Sequence, residues 1–117
     1  MNLNRVSISV ADDFSKTPGP RYPSEGDFCG QEFRENLLHP KLKEAILNEH
    51  TLVVDLDGTS GFGTSFLEES FGGLIRENAI PLAEIESCLE LVSEEEPSLI
   101  KEIMHYMKQA ESERNKE

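Results

Sequence analysis

Apolar residues recur with two different periods along the chain, and the switches between periods predict the elements. Val6-Ser7-Ile8-Ser9-Val10 alternates apolar and polar, the pattern of a strand with one buried face. From Gly30 onward, Phe33, Leu37, Leu38, Leu42, Ala45 and Ile46 have helical spacing. Proline lacks a backbone donor, so a break at His39-Pro40 is predicted, with one helix stopping and a second starting there. Thr51-Leu52-Val53-Val54-Asp55-Leu56 is an almost unbroken apolar run, which predicts a central strand covered on both faces. Phe66, Leu67, Phe71, Leu74 and Ile75 then mark a helix ending near Asn78.

Gly72 and Gly73 fall inside that helix, where glycine costs about 1 kcal/mol relative to alanine, so the pair predicts close packing against another backbone. Pro81 opens a connector or helical turn, and Ser87 to Ser93 reads as a strand. Leu99, Ile100, Ile103, Met104, Met107 and Ala110 carry the clearest helical stripe, with Glu94-Glu95-Glu96 ahead of it as negative charge favouring its N-terminus. Between the first strand and the first helix, residues 11–27 hold Pro18, Gly19, Pro20, Pro23 and Gly26, which predicts a long ordered loop. Residues 111–117 read as a charged tail that frays.

The order of elements predicts an α/β fold, a single mixed β-sheet with helices packed against it, and 117 residues suit one domain, 1–117. Apolar residues make up 37% and aromatic ones only 7%, so the core must lean on Leu, Ile, Val and Phe. Charge narrows the function. Lys plus Arg number 11 against 23 Asp plus Glu, a net charge of -12, which repels a phosphate backbone and argues against nucleic acid as a partner. A basic protein surface is the better match. Cys29 and Cys88 fit neither a disulfide framework nor a metal-ligand spacing and read as buried thiols in a reducing cytoplasm. No apolar stretch approaches the roughly 20 residues of a membrane span, so no membrane association is expected. His39, His50 and His105 show no ligand or triad spacing, and neither metal nor cofactor is expected.

The candidate chemistry lies between Leu52 and Asn78. Val53-Val54-Asp55-Leu56-Asp57-Gly58-Thr59 copies by its letters the first motif of haloacid-dehalogenase-type phosphatases, an apolar strand delivering Asp55 as nucleophile and Asp57 as acid/base with magnesium between them. Such a site also needs a phosphoryl-binding Ser or Thr, a Lys and a further acidic pair from other strands. About half of the 117-residue chain follows Thr59 and offers at most one more strand, so Asp55 and Asp57 are expected to cap the exit of a buried strand, and a small phosphate- or ligand-handling protein is the alternative. Gly58, Gly61 and Gly63 make the turn permissive to an approaching anion, without a Walker or dinucleotide spacing. Thr64 or Ser65 is predicted as the N-cap of the following helix, and Ser65 with Glu68 fits a capping box. Arg21 and Arg34 could bind an anion, and are read first as ion pairs fastening the loop to a helix.

Arg21, Gly30-Gln31-Glu32-Phe33-Arg34, the strand Val53 to Gly58, and above all Ser65-Phe66-Leu67-Glu68-Glu69-Ser70-Phe71-Gly72-Gly73-Leu74 resemble the bacterial and phage STAS-like domain family of unassigned function. The resemblance runs from about Val6 to Ala110. It implies a STAS-like fold and a non-enzymatic interaction or regulatory module. That family is similar in turn to anti-sigma-factor antagonists, in which a strand ending in Asp-Leu leads to a serine at a helix start that a histidine-kinase-like ATPase phosphorylates. By position the resemblance makes Ser65 the phospho-acceptor candidate, with Thr64 its neighbour, and Phe66, Glu68 and Glu69 part of the interaction surface. The antagonists carry Asp-Ser-Ser/Thr-Gly there, whereas this chain has Gly63-Thr64-Ser65-Phe66 after a longer turn.

Overall fold

The computed structural model describes residues 4–115. Strands β1 (Arg5–Ser9), β2 (Thr51–Asp55) and β3 (Leu89–Val92) form one sheet in the order β1-β2-β3. Both pairings are parallel, with Ile8 beside Val54 and Val54 beside Leu91. The expected α/β class, a single sheet with helices packed on it, is what the chain adopts, with every described pairing parallel where a mixed sheet was expected. All its described strands run the same way because helical crossovers join each pair. Helix α1 covers residues 30–48, α2 covers 64–76, α3 is Leu82–Cys88 and α4 is Ser98–Arg114.

The register divides the sheet into two unlike faces. Val6, Ile8, Leu52, Val54, Leu89 and Leu91 point into the core, where they meet Phe33, Leu42, Leu67, Phe71, Ile85 and Ile103. On the other face stand Ser7, Thr51, Asp55 and Val92, with Val53 between them. Arg5 on β1 reaches across β2 to Glu90 on β3 at 2.6 Å, and Val53, the register partner of Glu90, is only 8% exposed. The strand is central in the sheet, as expected, and its successive residues Leu52, Val53 and Val54 are all buried, as a strand covered on both faces requires.

Several boundaries differ from the sequence reading. No break occurs at His39-Pro40, because Arg34–Leu38 forms a π-turn in which His39 N–H donates to the Arg34 carbonyl, and the helix continues with Leu38 and His39 both helical. The widened turn accommodates the ring and the missing donor of Pro40. A second π-turn, Glu68–Gly72, lies within α2. The loop opens with a further π-turn, Val10–Phe14, capped reciprocally: Asp12 N–H donates to Ser9 Oγ at 3.1 Å and Ser9 N–H to Asp13 Oδ2 at 2.8 Å. The predicted Ser87–Ser93 strand is confined to Leu89–Val92 because α3 runs up to Cys88. Helix α4 continues through the predicted tail to Arg114, held by Glu111, which accepts the Leu82 N–H and pairs with Arg114; residues 116 and 117 lie outside the described part.

Candidate functional site

The C-terminal ends of parallel strands carry outward-pointing carbonyls and the turns between elements, and ligand sites in open α/β sheets gather there. At this end, β2 runs out through Leu56 into the turn 57–63. The chain must reverse sharply, and two of its glycines are needed for that. Gly58 has φ +90° and Gly61 φ +129°, conformations that L side chains rarely adopt, whereas Gly63 at φ -76° is ordinary extended backbone.

The Asp55–Asp57 pair fastens this turn. Asp55 Oδ1 accepts the Asp57 N–H at 2.9 Å. The Asp57 carboxylate accepts the N–H groups of Glu94 at 3.0 Å and Glu95 at 2.9 Å, and Gly58 N–H donates to Glu95 Oε1 at 2.8 Å. Two strand exits are thus stapled to each other. Glu94 and Glu95 lie ahead of α4, as the sequence reading placed them, and also serve this staple. On its other side the turn is tied to the loop, where Ser60 N–H donates to the Lys16 carbonyl at 2.8 Å. A depression of about 170 Å³ lies among Leu56, Asp57, Thr59, Ser60, Phe62 and Glu95.

Beyond the turn, α2 starts two residues earlier than the capping-box pattern predicts. Gly63 is the N-cap, no side chain caps the helix, and Thr64 and Ser65 are both exposed in its first turn. Neither hydroxyl has a hydrogen-bond partner among the described residues. The expected Ser65–Glu68 capping box is absent because arginines draw the Glu68 carboxylate away from the helix start.

Those arginines form a network that joins three parts of the chain. Arg21 of the loop pairs with Glu68 and lies 3.3 Å from Glu69. Arg76, two helical turns beyond Glu68, reaches Glu68 Oε2 at 2.5 Å and Glu69 Oε1 at 3.2 Å. Arg34, in the π-turn of α1, donates to Glu69 Oε2 at 2.5 Å and to the Glu69 carbonyl at 2.8 Å. Arg34 and Glu69 are each only 3% exposed. Burial pushes the Glu68 carboxyl up, but hydrogen bonds from Arg76 and Arg21 outweigh it and hold the group below the usual carboxylate range. An added Cβ at Gly73 would collide with the Arg34 guanidinium, a side chain where a neighbouring backbone was expected, whereas at Gly72 the Tyr106 carbonyl of α4 lies 3.6 Å from the Cβ position.

The structure brings Asp55, Asp57, Gly58, Gly61, Gly63, Thr64 and Ser65 together at one corner, and Arg21, Arg34, Glu68 and Glu69 in the network behind it. Phe66 and Glu69 do not belong to a binding surface. Phe66 is fully buried in an aromatic chain running from Phe28 and Phe33 through Phe14 to Phe66 and Phe62, with centroids 5.3–6.2 Å apart. Sequence reasoning missed Arg76 and Glu95. The helical spacing from Glu68 to Arg76 was a usable signal for the first; nothing local pointed to the second.

The sequence profile of the STAS-like domain of unknown function (DUF4325) matches residues 29–99, from the start of α1 to the start of α4 and more than half of the chain. No curated protein and no solved structure gives a match. The chain belongs to the family of STAS-like domains of unknown function.

Proposed function

We propose that the chain is a non-catalytic, protein-binding regulatory module of the cytoplasm, switched by phosphorylation of Ser65, with Thr64 as the substitute acceptor. The carrying observation is the pair of exposed, unpartnered hydroxyls on the first turn of α2, held out by a turn that is stapled on both sides. A phosphate there would add about -1.5 to -2 charge next to free helix N–H groups, which favour a dianion. Glu68 and Glu69, which would otherwise repel it, are already paired with Arg21, Arg34 and Arg76. The partner is a protein, and family likeness points to a kinase of the histidine-kinase-like ATPase fold. The net charge of -12 suits a basic face on it, and the two free cysteines suit a reducing compartment.

The test is phosphosite mapping by mass spectrometry on the protein recovered from its own cells, with binding of the recovered partner to Ser65→Ala and Ser65→Asp variants. Phosphate on Ser65 or Thr64, and a binding change of about tenfold between the two variants, is the expected result. Unmodified residues under every growth condition, with both variants binding as wild type, would remove the switch. Magnesium-dependent phosphatase activity lost in Asp55→Asn would replace this reading with the catalytic one.

A further inference from the structure

A second surface lies away from the Thr64–Ser65 corner. Ile85 of α3, Leu89 and Leu91 of β3, and Ile100, Met104 and Met107 of α4 line an apolar groove of about 230 Å³, with Glu86 the one charged residue in its wall. Strand β3 pairs with β2 alone among the described residues, so its outer edge, which borders this groove, has no strand beside it. An unpaired edge offers backbone N–H and C=O groups to an incoming strand. Pockets beside such an edge read the alternate side chains of that strand.

We infer that this groove and edge receive an extended segment of a basic partner protein, with apolar side chains alternating along it and Lys or Arg at both ends. The charge pattern selects this occupant. Exposed Glu86 stands before β3 and exposed Glu94, Glu95 and Glu96 stand after it, so carboxylates bracket the apolar stretch at both ends. A second copy of the chain would bring another net charge of -12 against the same acidic rim. The methionines give the groove a polarizable, adaptable wall that accepts more than one apolar side chain. None of the residues lining the groove belongs to the corner at Ser65, and of the rim glutamates Glu86 is separate from it, so the Glu86→Lys arm tests this inference without the switch.

The experiment titrates the full chain, labelled at backbone amides and methionine methyls, with a synthetic peptide of alternating valine and lysine, and in parallel with one of alternating valine and glutamate. The lysine peptide is expected to shift the amides of 89–92 and the methyls of Met104 and Met107, and to bind about tenfold more tightly than the acidic one. Met104→Lys should weaken it by about tenfold, and Glu86→Lys should reduce its salt dependence, with native circular dichroism retained in both. Met104 is only half-buried, and Glu86 is exposed, so Glu86→Lys keeps the test valid should the first variant fold poorly. No binding, equal affinity for the two peptides, or shifts confined to other residues would overturn the inference. Methionine signals that move with protein concentration alone would overturn it too, assigning the groove to a second copy.

Discussion

Arg34 and Gly73 depend on each other. The guanidinium is buried and paired with an equally buried carboxylate, an arrangement in which losing one partner costs about 3–5 kcal/mol because the other is left charged and unsolvated. A Cβ on Gly73 would occupy the place of that guanidinium, which its bonds to Glu69 prevent from moving aside. At Gly72 the obstructing atom is Glu68 Oε2, at 2.5 Å, on a carboxylate that keeps some contact with solvent and has more room to turn. Alanine also recovers about 1 kcal/mol of helix propensity at either position. Urea denaturation should therefore find Gly73→Ala destabilised by about 2–4 kcal/mol and Gly72→Ala within about 1 kcal/mol of wild type. Equal costs at the two sites would mean that Arg34 is not what requires the glycine.

Among the elements, the strand exits determine how rigidly the corner is presented. Asp57 satisfies two backbone donors from the β3 exit, so Asp57→Ala should cost about 1–3 kcal/mol and speed amide exchange at Glu94 and Glu95 while α1 and α4 stay protected. Uniform acceleration across the chain would instead mean that the staple is not local. The elements themselves were largely legible, since a strand or helix with one buried face must repeat its apolar residues at the period of its backbone. The π-turn at Arg34–Leu38 was not. Proline chemistry argues for a break before Pro40, and the continuation depends on Phe33, Arg34 and Leu38 all being buried by distant parts of the chain. The helix start was ambiguous because Gly63, Thr64 and Ser65 are all acceptable N-caps in sequence. The ion network was least legible. Apart from Arg76, which helical spacing links to Glu68, its pairs lie 35 and 47 residues apart, and among 23 acidic residues no local rule says which two will face Arg21 and Arg34.

At the scale of the whole molecule, an excess of carboxylates opposes the few that are paired, and pH separates the two populations. Glu68 titrates below the ordinary range when folded and near about 4.3 when unfolded. The folded state therefore holds that proton less tightly, and the stability Glu68 contributes is complete above about pH 4.3 and lost as the pH falls through its lower folded value. His39 acts higher on the scale. Burial, then Lys43 and Arg34, lower its pKa from the unfolded value of about 6.5, so its contribution is full above that pH and lost as the pH falls through the folded value. The exposed carboxylates work the other way, because protonating them relieves the repulsion of a chain with net charge -12. Salt near about 0.15 M, where the Debye length is about 8 Å, screens that term far more than it screens the partly buried Glu68 pairs. Thermal melts from pH 8 to pH 3 at that ionic strength should show two descending limbs. The shallow limb below about pH 6.5 should vanish in His39→Gln, and the one below about pH 4.3 should flatten in Glu68→Gln. A lower limb unchanged in Glu68→Gln would place the acid sensitivity outside the Arg21–Glu68–Arg76 network.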